Sequence, residues 1–483
     1  MKKVFIFIAA MALSFSVFAG GFVTNTNQSA RFLRNPARNA STEIDAIYSN
    51  PAGLSFMKQD GFYVSLNNQM AFQTRTITST FAPFAANGES DTKVYKGTAK
   101  AFFIPSLQAA YKWKNWVFSG SFAIVGGGGT LEYKNGLPMF EAQVAMLPVM
   151  ANDLLQQAGM PADWKISKYS LDQYLKGSAI TYGTLLGANY KIKDMFSVFA
   201  GARASFVRND YNGHIKDIRV NPNIPLLEFS GNNMIPATDF VKALAAAQVI
   251  PQEQADALIA QVSNKAIDLK QSGWGITPIL GVDFNYENWN VGIKYEFNTK
   301  VNLTNKTKEN TSGMPDFDDG VKTRSDIPAL LGAGVSYKFL KEKLIASAGF
   351  HLFFDKFAKM SNNKQELLKG GESKFKGNSY EFMLGLEYVI NDKFLVSTGG
   401  QITRLGLTDQ FQSNMSFYCN SFSVGVGGAY NIIKNLTLNL SYMYTNFAKY
   451  TNDNPVYKHP VLGGKEVYTR TSHAIGIGID YKF

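Results

Sequence analysis

The sequence predicts an all-β fold, a transmembrane antiparallel β-barrel of about fourteen strands with an N-terminal plug and helical extracellular loops. Three observations lead to this prediction. The chain begins with an export signal, many of its segments alternate between apolar and small or polar residues, and short turns alternate with long loops.

The N-terminus has the parts of a secretory signal peptide. Two lysines precede a short apolar run, and Val17 and Ala19 satisfy the small-residue rule for cleavage, which predicts a signal peptide over residues 1–19. No later stretch approaches the roughly 20 apolar residues that a transmembrane helix needs. A chain with 45% hydrophobic residues must therefore hold its apolar surface in another way.

Alternation is the main signal for membrane strands. Near the C-terminus, Ile475, Ile477 and Ile479 share one strand face, whereas Gly476 and Gly478 share the other. The pattern recurs upstream, with Tyr, Trp and Phe at strand ends, as expected of aromatic girdles at the lipid–water interfaces. Because lipid offers no hydrogen bonds, such strands must pair with each other in a closed barrel.

The connections between these segments distinguish a membrane barrel from a soluble β-sandwich. Tight turns, such as 286–289 and 390–393, alternate with long stretches, such as 127–177 and 211–270. The barrel is placed at 60–483, in the outer membrane of a Gram-negative bacterium with both termini periplasmic. Its predicted strands are 60–75, 98–112, 115–127, 177–191, 194–210, 271–286, 289–301, 326–339, 343–356, 376–390, 393–404, 417–431, 435–446 and 467–483.

Residues 20–59 precede the first strand and do not alternate cleanly. A short helical stretch is predicted from Ser41 to Tyr48, where Pro51 stops it. Two interpretations stay open, a disordered tail and a plug folded into the barrel. The apolar content of the segment favours the plug, since about fourteen strands enclose a space that is either filled or wet.

Two long loops contain helical patterns. The loop at 130–176 is predicted to be helical, with a second helix near 171–175, and the loop at 237–263 is predicted to form another helix. These helices either pack on each other as a cap or form a landing groove for a lipophilic ligand. The groove candidates, which recur at near-helical spacing, are Phe140, Val144, Leu147, Met150 and Leu154.

Charged residues also fall on the strand face that would point into the lumen. Either they pair with one another or with the plug, which is the favoured interpretation, or Arg203 or Lys294 guides an anionic head group. The full set is Arg203, Asp283, Lys294, Glu296, Glu381 and Glu387.

The sequence shows no pattern typical of an enzyme, a metal site or a cofactor site. Its four histidines lack ligand spacing, and the single cysteine, Cys419, argues against a cysteine metal cluster. The run Gly126–Gly129 lacks the lysine of a phosphate-binding loop and is more typical of a strand that bends or breaks its ladder. The formal net charge of +11 favours contact with anionic lipid over nucleic acid.

The segment 46–54, with the sequence AIYSNPAGL, resembles the plug signature of the FadL/TodX family of outer-membrane transporters for long-chain fatty acids and other hydrophobic compounds. Asn50, Pro51 and Ala52 match its core, and the segment lies before the first strand, as in that family. The resemblance covers the mature chain in architecture, with close motif similarity over 41–62.

The resemblance implies a monomeric barrel closed by an N-terminal hatch that includes Asn50, Pro51 and Ala52. Substrate would meet an external groove, then a deeper pocket, and would leave sideways where the third strand kinks. The kink candidates are Gly126, Gly127, Gly128 and Gly129.

The expected partners are hydrophobic small molecules, outer-membrane lipid and lipopolysaccharide, and the barrel assembly machinery, which reads an aromatic C-terminus such as Phe483. No energy-coupling box is evident, so passive uptake is expected. A general diffusion porin and a surface receptor or adhesin barrel stay open as alternatives.

Overall fold

The computed structural model describes residues 25–361, 374–415 and 417–483, together with Lys369. The predicted signal peptide, residues 1–19, lies outside these ranges. In the described chain, fourteen long antiparallel strands form one closed sheet, in which the first strand pairs with both the second and the last. The prediction of a fourteen-stranded transmembrane barrel is confirmed.

The barrel strands follow one another around the wall in chain order. They are β1 Gly61–Thr80, β2 Thr92–Trp113, β3 Trp116–Tyr133, β4 Lys165–Ile192, β5 Phe196–Ile224, β6 Lys265–Tyr286, β7 Trp289–Glu296, β8 Leu330–Phe339, β9 Leu344–Phe353, β10 Ser379–Val389, β11 Phe394–Arg404, β12 Ser421–Ile433, β13 Leu436–Phe447 and β14 Lys465–Lys482. Shorter strands in the connections are Phe229–Ser230, Ile235–Pro236, Asn302–Asn310, Lys322–Arg324 and Tyr450–Asn452.

Helices lie in the N-terminal segment and in the long connections. The α-helices are α1 Ala30–Arg34, α2 Ala46–Ser49, α3 Pro138–Gln157, α4 Ala237–Ala246 and α5 Gln252–Val262. The 3-10 helices are Pro51–Phe56, Ala82–Gly88, Pro225–Leu227, Pro315–Phe317, Asp355–Phe357 and Asp409–Phe411. No helix in the described ranges is both long and apolar enough to cross a membrane.

The two faces of each strand have opposite character. On β14, Ile475, Ile477 and Ile479 point outwards and are 41–44% exposed, and large apolar side chains cover the outer surface of the other strands in the same way. Inward-facing positions carry small or polar residues, such as Asn439 and Asn189, which are buried. An apolar outer surface around a polar interior is the arrangement expected of a β-barrel in a lipid bilayer.

The strand ends at the short turns lie within two residues of the predicted ends. The opposite ends differ, since β4 begins at Lys165 rather than 177 and β5 ends at Ile224 rather than 210. These strands extend beyond the predicted ends because each supplies the other with backbone hydrogen bonds over nearly its full length. The start of β1 and the end of β14 both lie on the short-turn side.

The loop helices are shorter than predicted. The helix at 130–176 covers only α3, and the predicted second helix near 171–175 is wrong, because these residues belong to β4, where Leu175 pairs with Tyr133 on one side and Gly213 on the other. The spacing of the apolar residues in 171–175 fits a strand as well as a helix. Pairing with the two long neighbouring strands, β3 and β5, favours the strand.

The single helix predicted over 237–263 is also wrong. The chain forms two helices, α4 and α5, which are separated by residues 247–251. Pro251 caps α5 because its ring disfavours helical backbone in the preceding residue and it has no N–H to continue a helix from α4.

The segment from Asn25 to Met57 lies inside the barrel. Almost all of its residues are buried, and α1 contacts β12, β13 and β14, whereas the turn Pro51–Phe56 contacts β4 to β7 on the other side. A second packed region lies outside the membrane, where α3, α4 and α5 share one apolar cluster with the extended ends of β4 and β5.

A basic residue on the lipid face tests the assignment of the two faces. Leu384 lies at the middle of β10 and is 68% exposed. We expect Leu384→Arg to lower the free energy of unfolding in lipid vesicles by about 2–4 kcal/mol, because the charge sits near the bilayer midplane. Urea titration monitored by tryptophan fluorescence measures the change.

The matched control is Leu340→Arg, which makes the same change at an equally exposed residue in the short turn after β8. We expect a loss of only about 0–1 kcal/mol there, because the turn lies at the interface. Equal losses at the two positions would contradict a lipid-facing β10.

Candidate functional site

An apolar cavity of about 380 Å³ lies between α3 and the loop ends of the barrel strands. Four of the five groove candidates line it, and they are Phe140, Val144, Leu147 and Met150. The fifth, Leu154, packs instead against the surrounding apolar cluster. The opposite wall includes Ile215 and Leu269 from β5 and β6.

A single buried carboxylate anchors α3 to the barrel. Glu141 accepts hydrogen bonds from Lys93 Nζ and Tyr95 OH, both at 2.7 Å, from Tyr169 OH at 2.9 Å and from Gln173 Nε2 at 3.2 Å. Lys93 and Tyr95 belong to β2, and the other two belong to β4. Because a buried charge is tolerated only with such donors, Glu141 holds α3 against β2 and β4.

A second cavity, of about 370 Å³, lies deeper in the lumen. Its floor is formed by the N-terminal segment, including Asn25 and Leu33. The two cavities share lining residues, which are Leu175, Tyr211 and Met415. The two cavities are therefore neighbours, separated by these three side chains.

The wall of the deeper cavity is interrupted between β2 and β3. The two strands pair up to Lys100–Thr130 and again from Ser106–Ala123, but not in between. All four kink candidates, Gly126 to Gly129, lie in this unpaired stretch of β3. Residues on both sides of the interruption line the cavity, so it reaches the wall there.

Glycine is required at one position of this stretch. Gly127 has φ +67°, in the left-handed region, and a Cβ there would overlap the carbonyl oxygen of Ala179 on β4. The pairing of β3 with β4 also shifts register twice, on either side of this residue. The third strand therefore bulges where it leaves β2.

The N-terminal segment binds the carbonyl groups that the interruption leaves unpaired. The backbone N–H of Asn25 donates to Val125 O at 2.8 Å, and its side chain donates to Gly127 O at 2.9 Å. Gln28 Nε2 donates to Ile124 O at 3.3 Å. The N-terminal segment thus supplies hydrogen-bond donors to β3 where β2 does not pair with it.

Asn50, Pro51 and Ala52 attach the other end of the segment to the wall. Asn50 is fully buried, and its Nδ2 donates to Ser41 O at 3.0 Å and to Asp283 Oδ2 at 2.5 Å. The carbonyl oxygens of the next two residues accept hydrogen bonds from β4 and β5 side chains, Asn189 and Ser197. Each residue of this tripeptide therefore contacts the barrel through a polar group.

Arg203 and Lys294 are both buried and both bind Glu296. Lys294 Nζ also donates to Tyr48 O at 2.5 Å and lies 4.2 Å from the centre of the Tyr48 ring. Neither cation is free to meet an anionic head group in this conformation. The arrangement matches the favoured interpretation, in which lumen charges pair with one another and with the plug.

The arginines of the N-terminal segment also bind the barrel wall, which the alternation pattern of the strands does not indicate. Arg38 donates to Asp45 at 2.7 Å and to Glu387 of β10 at 2.9 Å, and Arg34 donates to Asn439 of β13 at 2.7 Å. Burial alone would raise the pKa of Asp45, but the neighbouring Arg38 has the larger opposite effect. The pKa is therefore lowered to about 2, and the carboxylate stays ionised. The clustered arginines of residues 31–38, in a segment ahead of the first strand, were the available signal.

Comparisons with known proteins identify the fold. No protein-family profile and no curated relative match the chain. Similar solved structures include a Pseudomonas aeruginosa FadL homologue, with TM-score 0.61, 12% identity and coverage of 94% of this chain and 98% of that one. Two others are the Pseudomonas putida toluene transporter TodX (TM-score 0.55, 15% identity, 94% and 98%) and the Ralstonia pickettii toluene transporter TbuX (0.51, 15%, 93% and 98%). The chain therefore has the FadL/TodX barrel fold over nearly its whole length, as its resemblance to that family predicted.

Loss of the Asn50 amide tests how the segment is held. We expect Asn50→Ala to raise the rate of amide hydrogen exchange over residues 46–56 by about tenfold or more, since a hydrogen bond to a charged group contributes roughly 1.5–3 kcal/mol. Mass spectrometry of the protein in nanodiscs measures the exchange.

The control is Asn288→Ala, in the exposed turn between β6 and β7. It removes the same side chain without touching the segment, and exchange over 46–56 should match the wild type. Unchanged exchange in the Asn50 variant would show that this amide does not hold the segment in place.

Proposed function

We propose that this protein is a passive outer-membrane channel for the uptake of hydrophobic compounds such as long-chain fatty acids. In this proposal the loop end faces the cell exterior, the short turns and both termini face the periplasm, and substrate moves from the outer cavity to the lumen cavity. It then leaves sideways between β2 and β3. The observation that carries the proposal is the succession of two adjoining cavities, the deeper of which borders an unpaired stretch of wall.

The chemistry of the outer cavity supports capture of apolar molecules. Apart from Gln143, its α3 side is formed by Phe, Val, Leu and Met side chains, and two methionines allow it to adapt to different shapes. Burial of an alkyl chain contributes roughly 0.8 kcal/mol per CH₂. The solved structures with the same fold include proteins described as toluene transporters, which agrees with a hydrophobic cargo.

The N-terminal segment supports a lateral exit over an axial one. Residues 25–57 occupy the lumen nearest the short turns and bind the barrel wall through ion pairs, the buried Arg38–Glu387 and the partly buried Arg31–Asp480. Removing such a plug would break several charged contacts, each costly to leave unpaired. In our proposal the segment acts as a hatch that directs cargo to the side, and its bulk speaks against a general diffusion porin.

Uptake by whole cells tests the function directly. Cells that express the protein should take up radiolabelled oleate, an alkane or toluene faster than the same cells without it, at equal outer-membrane protein content. The initial rate of uptake over a filter is the readout. No difference with any of the three classes of compound would refute the proposal.

A cross-link across the unpaired stretch tests the exit. A Cβ on Gly129 would lie 3.7 Å from the Ala101 Cβ, within the range of a disulfide. In a Cys419→Ala background, Ala101→Cys with Gly129→Cys should lose most of its uptake when oxidised, because the two strands can no longer part. Reductant should restore it.

The matched control joins the same two strands where they are already paired. Ala109→Cys with Gly120→Cys connects ladder partners below the interruption and should leave uptake unchanged when oxidised. Full uptake through the oxidised Ala101–Gly129 cross-link would exclude this exit.

A further inference from the structure

A cluster of positive charge lies on the outer face of the barrel wall at the loop end. Arg208 of β5, Lys270 of β6 and Lys306 are all exposed, whereas the residues on either side of Arg208 are buried. Lys306 belongs to the short strand Asn302–Asn310, which pairs with β6, and β6 in turn pairs with β5. The three cations therefore point away from the lumen on neighbouring strands, and we call them the cationic patch.

The register of the strands brings the three side chains of the patch close together. Lys270 and Lys306 are direct partners in the ladder. Arg208 pairs with Ser272, so it is a diagonal neighbour of Lys270. Direct partners have Cβ atoms about 4.5–5.5 Å apart and diagonal neighbours about 7–8 Å, and like charges directly opposite each other destabilise a sheet. Strand pairing alone therefore does not explain the patch.

Carboxylates of the described residues neutralise the patch only in part. Lys270 Nζ lies 3.9 Å from Asp210 Oδ2, and both side chains are about half exposed, so this ion pair is weak. Neither Arg208 nor Lys306 has a carboxylate oxygen of the described chain within 4.0 Å. Three cations and one carboxylate leave a net charge of +2 on this small area of the wall.

Acidic residues bound the patch on the side away from the membrane. Asp268 and Glu309 are direct partners one outward-facing position further along the strands, and Lys308 Nζ lies 3.5 Å from Asp268 Oδ2. On β3 and β4, Glu132 opposes Lys176, so charges of opposite sign face each other there. The excess of positive charge is therefore confined to a narrow band above the bilayer.

Aromatic side chains place this band at the edge of the bilayer. Phe206 and Trp274 are direct partners, one outward-facing position nearer the short turns than Arg208, and are 51% and 63% exposed. Exposed aromatic rings at strand ends lie at the lipid–water interface. Ser272 and Thr304, which also pair directly, put two hydroxyl groups between the rings and the lysines. The patch therefore lies at the level of the lipid head groups.

We propose that the cationic patch binds the phosphate groups of lipopolysaccharide, the phosphorylated glycolipid of the outer leaflet. Each phosphate monoester of its lipid A part carries about −1.5 to −2 charges and accepts hydrogen bonds from guanidinium, ammonium and hydroxyl groups. Phe206 and Trp274 contact the acyl chains below. Lipid A has two phosphates, which suit three separate cations better than the single phosphodiester of an anionic phospholipid does. The inference rests on the orientation given in the proposed function, with the loop end outside, but not on transport.

Native mass spectrometry of the protein, released from micelles of a neutral detergent, measures bound lipid directly. The probes, each titrated separately, are lipid A with both phosphates, lipid A with one phosphate, and phosphatidylglycerol. We expect the wild type to bind the doubly phosphorylated lipid A most tightly. The combined variant Arg208→Gln, Lys270→Gln and Lys306→Gln should weaken this binding by about tenfold or more, as expected for the loss of several charge-assisted contacts.

The matched control removes three exposed lysines of the short turns, Lys193→Gln, Lys341→Gln and Lys393→Gln, and should change lipid A binding by less than about twofold. Lys270→Arg with Lys306→Arg keeps the charge and should bind lipid A like the wild type. Equal losses in the patch variant and the short-turn variant would overturn the inference. Equal affinity of the wild type for phosphatidylglycerol, or no saturable binding of lipid A, would overturn it as well. Uptake of hydrophobic compounds tests the proposed function separately, because lipid A binding is measured without transport.

Discussion

The structure depends on one constraint, that every backbone hydrogen-bonding group within a membrane must find a partner in the protein. Fourteen strands satisfy it by closing the sheet between β1 and β14. The interruption between β2 and β3 is the place where the constraint is met differently, because Asn25 and Gln28 bind the carbonyls of β3 from inside. The interruption of the ladder is therefore possible because the N-terminal segment supplies the missing hydrogen-bond donors.

Ion pairs and hydrogen bonds to charged groups hold the N-terminal segment inside the barrel. The arginines of the N-terminal segment bind Glu387 of β10 and Asp480 of β14, and Asn50 binds Asp283 of β6. These contacts fill the half of the lumen nearest the short turns and leave open the half that adjoins the loops.

Much of the fold was predictable from the sequence, because the apolar residues of each strand recur at every second position. A shift of a strand by one residue would turn these apolar side chains into the lumen. Ile475, Ile477 and Ile479 illustrate this, as do the turn boundaries near 286–289. The loop ends were less predictable. Leu175 lies in a strand because β3 and β5 flank it, which is a tertiary effect that a short apolar spacing cannot reveal.

The site was only partly predictable for a related reason. Four residues at helical spacing could be assigned to the outer cavity, since α3 presents them on one face. The partners of Glu141, Lys270 and Lys306 are far away in the sequence, and a single charged residue does not indicate which strand it will oppose. Only the register of β6 against Asn302–Asn310 brings the two lysines together.

The attachment of α3 has a mechanical consequence. Glu141 holds the helix to β2 and β4, the strands on either side of β3, through the hydroxyl and ammonium groups that surround it. Asn152 adds a second attachment, since its side chain exchanges two hydrogen bonds with the backbone of Ile166 on β4. Any displacement of α3 would therefore be transmitted to the two strands that flank the interrupted edge of β3.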